Sequence, residues 1–193
     1  MSKVRLYLVR HGKTMFNTIG RAQGWSDTPL TAEGELGIHE LGIGLRESGL
    51  QFDRAYSSDS GRTIQTMGII LEELGLQGKI PYRMDKRIRE WCFGSFDGAY
   101  DGDLFMGVIP RVFKVDHVHQ LSYAELAEGL VEVDTAGWAE GWEKLSSRIK
   151  EGFESIAKEM EEHGGRNALV VSHGMTIGTI VYLINGMHPH GLD

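Results

Sequence analysis

Two short apolar runs, Val4 to Val9 (VRLYLV) and Ala168 to Val171 (ALVV), each stop abruptly at a polar triplet containing a histidine and a glycine: Arg10-His11-Gly12 and Ser172-His173-Gly174. Runs of this kind, rich in Val and Leu and bounded by turn formers, read as buried strands that deliver polar groups at their carboxyl ends. Phe52 to Tyr56 repeats the pattern and ends at Ser57-Ser58, and Ile80 to Met84 is a third candidate strand that leads into Ile88-Arg89-Glu90-Trp91. Between these lie helical patterns. Thr31, just after the turn formers Asp27-Thr28-Pro29, stands at an N-cap position and opens a helix to about Ser48-Gly49. That helix is expected to turn Leu36, Leu41 and Leu45 inward. Its glycines Gly34, Gly37, Gly42 and Gly44 weaken it by roughly 1 kcal/mol each relative to Ala, a cost that close packing against a sheet would explain. Ile64, Met67, Ile70, Leu71 and Leu74 share one face of a second helix, closed by Gly75. From about Thr135 to His163, Trp138, Trp142, Leu145, Ile149, Phe153, Ile156 and Met160 recur at helical spacing, with Gly164-Gly165 as the stop. Met175 to Ile184 gives the last helix.

Strands alternating with helices, and strands apolar on both faces, predict an α/β fold with a largely parallel central sheet covered by helices on both faces. In such sheets ligands bind beyond the carboxyl ends of the strands, where Arg10-His11-Gly12, Ser57-Ser58 and Ser172-His173-Gly174 all fall. The chain of 193 residues reads as a single domain. Its stretch from about Asp97 to Gly137 lacks strong periodicity and reads as a substrate-facing insertion. Ser122 and Glu125 within it have capping-box spacing. Lys and Arg number 20 against 27 Asp and Glu, a net charge of −7 that argues against general binding to nucleic acid or anionic lipid. The lone cysteine, Cys92, excludes an internal disulfide and a multi-cysteine metal site and fits a reducing compartment. With charges where a signal peptide needs its apolar core, and no run long enough to span a bilayer, a cytoplasmic protein without membrane contact is expected.

Several chemistries drop out. Gly42-Ile43-Gly44 lies inside a helix and has Glu47 at the third glycine position, so it is no dinucleotide fingerprint, and no P-loop is present. Asp101-Gly102-Asp103 follows no apolar strand and reads as a solvated turn. Cys92 lacks an arginine-bearing phosphate loop after it and reads as a packing residue. The pairs His117/His119 and His188/His190, and His39 on the glycine-rich helix, lack further ligands and are read as incidental. What stands is Arg10-His11-Gly12, Arg62, Glu90 and His173-Gly174. Two histidines at two strand ends, each followed by a glycine that lets backbone N–H groups approach an anion, together with fixed arginine charge, describe an anion pocket holding a nucleophile. Arg62, in the first turn of its helix, also stands near the positive end of a dipole.

The run Leu8-Val9-Arg10-His11-Gly12-Lys13-Thr14-Met15-Phe16-Asn17 closely resembles the signature of the histidine phosphatase superfamily, the phosphoglycerate mutase-like family. The resemblance continues through Arg21 to Gly34, then at Ser57-Ser58 through Arg62 to Thr66, at Arg89-Glu90 with Phe93-Gly94, and at Val170 to Gly174, in the family's order. It implies the family's three-layer fold and a phosphohistidine formed on His11. Arg10, Arg62 and His173 would surround the phosphoryl oxygens. Glu90 would be the general acid and then the base that activates water. Asn17, Arg21, Gln23 and Gly24 would match positions on the phosphate or substrate side, beside Gly12 and Gly174. A neutral His11 needs an acceptor for its other nitrogen, expected to be a backbone carbonyl. No metal and no cofactor are implied, because arginines supply the positive charge.

The resemblance thus implies a metal-independent phosphatase of the phosphatase branch, acting on a small phosphorylated metabolite, with a homodimer left open. Its rivals are a phosphoglycerate mutase, which returns the phosphoryl group to substrate, and a phosphate-binding module without turnover. The complete set Arg10, His11, Arg62, Glu90 and His173 counts against the module. Two departures stand out. Lys13 takes a place often held by glutamate or glutamine, and the chain stops at Gly191-Leu192-Asp193 where family members usually run on through another strand and a tail. The end therefore reads as that of a short member or of a truncated chain. An open pocket, with hydrolysis favoured over mutase transfer, is the corresponding expectation.

Overall fold

Among the described residues four strands run parallel in one sheet, as the alternating pattern leads one to expect. The structure, a computed structural model, describes residues 3–186. In chain order the elements are β1 (Arg5–Arg10), the single turn α1 (Met15–Thr18), α2 (Ala32–Glu47), β2 (Arg54–Ser57), α3 (Gly61–Glu73) and β3 (Tyr82–Met84), followed by a π-helical segment (Gly102–Val108) that continues into α4 (Ile109–Phe113). Then come α5 (Tyr123–Val133), α6 (Trp142–Glu162), β4 (Asn167–Ser172) and α7 (Gly174–Asn185). The strand order is β1-β4-β2-β3. Because β4 pairs with β1 on one side and β2 on the other, three polar strand ends lie side by side.

Alternation along the two central strands splits the core into two layers. Tyr56, Ala168 and Val170 face one side and pack with Ile149, Phe153, Ile156 and Met160 of α6. Ala55, Leu169 and Val171 face the other and pack with Ile38 of α2 and Met67, Ile70 and Leu71 of α3. Helices cover both faces, as expected. Each buried Leu, Ile or Phe on these stripes contributes about 1.5–3 kcal/mol.

Several local expectations are corrected. The long helix begins at Trp142 rather than near Thr135. The carboxylate of Asp134 accepts the N–H groups of Ala136, Trp138 and Ala139, which fixes 134–139 as a loop and leaves Trp138 69% exposed. Leu36 and Leu41 of α2 point outward, and Ile38 and Gly42 take the inner face. Gly42 does sit where a Cβ would meet the Glu73 side chain at 2.6 Å, but Gly37 and Gly44 face open space, so close packing explains only some of the glycines. Ile64 is exposed on α3. The third strand is only Tyr82–Met84. Asp101-Gly102-Asp103 is no turn but the start of the π-helical segment, and the stretch that lacked periodicity is largely helical. The caps at Thr31 and at Ser122 with Glu125 are present. The reading of the C-terminal end, and of His188 and His190, falls outside the described residues. Among those residues no helix is long and apolar enough to cross a membrane.

Candidate active site

Strand register places the two histidines together. Arg10 pairs with Ser172, so the next residues, His11 and His173, emerge from neighbouring strands with ring centroids 5.3 Å apart. His11 is buried, and its Nδ1 lies 2.8 Å from the carbonyl of Gly12. A carbonyl only accepts, so Nδ1 carries the proton and Nε2 keeps its lone pair. Burial, then the charge of Arg62 and to a lesser degree that of Arg10, hold the imidazole pKa down at about 3, against the hydrogen bond to Gly12. His11 is therefore neutral and nucleophilic at physiological pH.

His173, fully buried, is also neutral. Burial first, and then Arg62, hold it well below the ordinary histidine value. Its Nδ1 accepts from Arg62 Nη2 at 3.0 Å, and its Nε2 lies 2.7 Å from Ser58 Oγ. Arg62 is buried as well and spends its terminal nitrogens on protein. Nη1 donates to Ser26 O at 2.9 Å and to Asp27 Oδ1 at 2.8 Å, while Nη2 also donates to Gly24 O at 2.8 Å. Its Nε is buried without a hydrogen-bond partner among the described residues. Arg10 is exposed and engages no side-chain partner among them, and it runs past the start of α7, where a Cβ on Gly174 would lie 3.5 Å from its Nε. Of the two arginines, Arg10 is the one free to follow a ligand.

Glu90 enters from beyond β3 and plugs the N-terminal end of α7. Its Oε1 accepts from Trp91 N and Thr176 N at 3.0 Å and from Thr176 Oγ1 at 3.1 Å, and its Oε2 accepts from Met175 N at 3.1 Å. Burial raises the pKa of Glu90 and outweighs these donors and Arg62, all of which favour the anion. Oε2, with one donor against three, is the oxygen that a proton can occupy at least cost. The backbone around it is braced by Trp25, whose indole donates to Glu90 O at 3.0 Å, and by Arg148, which donates to Arg89 O and Glu90 O at 3.1 and 3.2 Å.

The residues expected on the substrate side are each fixed by contacts with neighbouring loops. Gly12 donates its N–H to Thr66 Oγ1 at 3.1 Å, and a Cβ there would meet Ile38 at 2.8 Å. Thr14 caps α1 in a capping box completed by the Asn17 side chain, and the Thr14 hydroxyl also donates to buried Gln23 Oε1 at 2.6 Å. Gln23 passes on to Thr28 at 2.9 Å. Arg21 donates to Gly98 O and lies over the Tyr100 ring at 4.5 Å, tying the first motif to the 97–137 segment. A Cβ on Gly24 would sit 2.3 Å from Trp91 O, so only glycine fits between the two loops. Sequence reasoning put Ser58 at a polar strand end and Asp27 in a turn, but gave neither of them, nor Thr176 or Asp97, a partner in the site. Asp97 accepts from Gly24 N, Ser26 N and Ser26 Oγ at 2.8–3.0 Å and from Phe93 N at 3.1 Å. Their long-range contacts span from 35 residues, for Asp27 with Arg62, to 115, for Ser58 with His173, and no local pattern encodes those. Cys92 is buried packing, with its thiol pKa raised by burial. His39 instead pairs with Glu73 at 2.9 Å. Among the described residues no three His, Cys, Asp or Glu side chains converge as metal ligands.

The chain and its fold have known relatives. The family described as "Histidine phosphatase superfamily (branch 1)" matches residues 6–193. A Shigella dysenteriae protein named "Probable phosphoglycerate mutase GpmB" is 32% identical over 190 residues, covering 95% of this chain and 76% of its own. The crystal structure of a phosphoglycerate mutase from Bacillus anthracis superposes with a TM-score of 0.91 at 36% identity, covering all of this chain and 85% of that one. Bacillus stearothermophilus YhfR superposes with a TM-score of 0.71 at 27% identity, over 94% of this chain and 80% of that one.

Proposed function

Because the chain belongs to the histidine phosphatase superfamily, branch 1, we propose that it is a metal-independent phosphatase that hydrolyses a small phosphomonoester through a phosphohistidine on His11. The observation that carries this reading is the state of His11: Nδ1 held by Gly12 O, Nε2 unprotonated, and the whole ring kept neutral by burial and arginine charge. In the first step Nε2 attacks phosphorus and the ester P–O bond breaks. Protonated Glu90 gives its proton to the departing oxygen. In the second step water attacks phosphorus while Glu90 takes its proton, the P–N bond breaks with its electron pair returning to Nε2, and inorganic phosphate leaves with His11 neutral again. Arg10 and Arg62 supply the fixed positive charge on the phosphoryl oxygens, the preorganised stabilisation on which such transfers depend. The single buried cysteine supports a reducing, cytoplasmic setting.

The mutase reading has its own support in the names of the Shigella dysenteriae and Bacillus anthracis relatives. It shares the first step and differs in the acceptor, a second substrate hydroxyl in place of water. One experiment separates them. The protein is incubated with 3-phosphoglycerate and a bisphosphoglycerate primer, and in parallel with a panel of phosphorylated metabolites, and phosphate release and monophosphate interconversion are both followed. The phosphatase reading expects acid-labile label on His11 and phosphate release as the faster process. Interconversion far faster than release establishes the mutase, and label on any other residue removes both.

A further inference from the structure

The hydrogen bonds around His173 form a chain whose direction is fixed at both ends. At one end Arg62 Nη2 can only donate, so His173 Nδ1 accepts at 3.0 Å and carries no proton. The proton of the neutral ring is then on Nε2, and it is donated to Ser58 Oγ at 2.7 Å. At the other end Thr63 Oγ1 lies 2.9 Å from Ser58 O and 2.8 Å from Ser60 O, carbonyls that can only accept, so its single proton goes to them. Thr63 Oγ1 therefore accepts from Ser58 Oγ, 2.8 Å away. No member can reverse without leaving a buried donor facing a donor, at a cost of about 1–3 kcal/mol. Ser58, Thr63, Arg62 and His173 are all fully buried, so water does not offer an alternative partner.

We propose that Ser58 is a positioning residue: by taking the Nε2 proton of His173, and handing its own to Thr63, it turns the Nδ1 lone pair of His173 onto Arg62 and fixes that guanidinium in the pocket. With Nη1 and Nη2 held by Ser26, Asp27, Gly24 and His173, Arg62 keeps Nε–H as its one unspent donor. An arginine clamped in this way loses little conformational freedom when an anion arrives, the usual benefit of a preorganised site. His173 then serves the phosphoryl group by holding Arg62, because its only N–H is committed to Ser58. This inference rests on the phosphatase reading for its kinetic arm but not for its structural one.

The test reads both arms. Long-range proton–nitrogen correlation spectra of the uniformly labelled full chain should show His173 with Nε2 protonated and Nδ1 unprotonated, the opposite tautomer to His11. Ser58→Ala should replace the single-tautomer pattern of His173 with an averaged one and lower kcat about tenfold, with KM changed much less. Thr63→Val, which keeps the side-chain shape, should move the same signals in the same direction and lower kcat about threefold, and it carries the test if the Ser58 variant does not fold. A wild-type His173 protonated on Nδ1 overturns the proposal. So do variants that leave both the tautomer pattern and kcat unchanged. If the wild-type protein neither turns over phosphomonoesters nor forms phosphohistidine, the phosphatase reading fails, and Ser58 is judged on the ring signals alone.

Discussion

At the carboxyl ends of β1 and β4, side chains are placed by ladder register, with Arg10 opposite Ser172 and hence His11 beside His173. In the loops at 93–97 and 134–139 the backbone is placed instead by two carboxylates. Asp97 gathers the amides of Gly24, Ser26 and Phe93, and Asp134 gathers those of Ser95, Ala136, Trp138 and Ala139. The first region is held by main-chain pairing within a buried sheet, and the second by charge-assisted bonds at its surface. The proposed nucleophile stands on the ladder, while the loops beside it depend on carboxylates that a proton or a single substitution removes.

Substitution at the ladder should act on rate far more than on stability. His11→Ala is expected to lower turnover by roughly 10⁴-fold or more, since the covalent step has no other nucleophile, and to leave the thermal midpoint nearly unchanged. A variant that keeps substantial turnover in a steady-state assay removes His11 from the mechanism. Next in size is Glu90→Gln. An alkyl phosphate, whose alkoxide needs a proton, should slow by about 10²-fold, while a phenyl ester with electron-withdrawing substituents should slow much less. Because burial raises the Glu90 pKa, the acid form persists to higher pH than in an ordinary glutamate. The wild-type rate on alkyl esters should therefore fall as pH rises through that raised value, and the Gln variant should lack this limb. Equal losses on both esters would reduce Glu90 to a structural part.

The carboxylate-built region should respond in the opposite sense, in stability before rate. Asp97→Ala and Asp134→Ala should each cost about 2 kcal/mol in denaturant midpoint analysis, because each removes several charge-assisted bonds to loop amides. Only Asp97→Ala should also lower activity, since its loop carries Gly24 O and Ser26 O, which hold Arg62. Burial would raise the Asp134 pKa, but its backbone donors outweigh this and hold it well below the ordinary aspartate value. The sign follows: its contribution is fully present above the unfolded value of about 3.9 and is lost as pH falls from there toward the folded value. The acid limb of unfolding should therefore be shallower in Asp134→Ala. The smallest effects belong to α2. Gly37→Ala and Gly44→Ala, where an added Cβ meets open space, should each stabilise by about 0.5–1 kcal/mol, and Gly42→Ala, which meets Glu73, should not.

Much of the fold was legible because the signals are local. The strand ends, the Thr31 cap, the Ser122–Glu125 capping box and the stripe of α6 each lie within a few residues, and the structure contains them all. The helix start near Thr135 was misread because Trp138 kept the apolar period, while the amides the helix needed had gone to Asp134. Leu36 and Leu41 misled for a related reason. Periodicity on a glycine-rich helix does not say which face meets the sheet, and here Ile38 and Gly42 do.

The sequence by itself determined the alternation of strands and helices, the two histidine–glycine strand ends, and which arginines and carboxylate could serve a phosphoryl group. Only the tertiary structure decided their states. It made His11 neutral with an unprotonated Nε2, gave His173 the other tautomer, committed the terminal nitrogens of Arg62, and raised the pKa of Glu90 at the N-terminal end of α7. The physical reason is range. Helix and strand patterns are set by neighbours a few residues away, whereas protonation is set by burial and by partners such as Ser58 and His173, 115 residues apart in the chain and 2.7 Å apart in the fold.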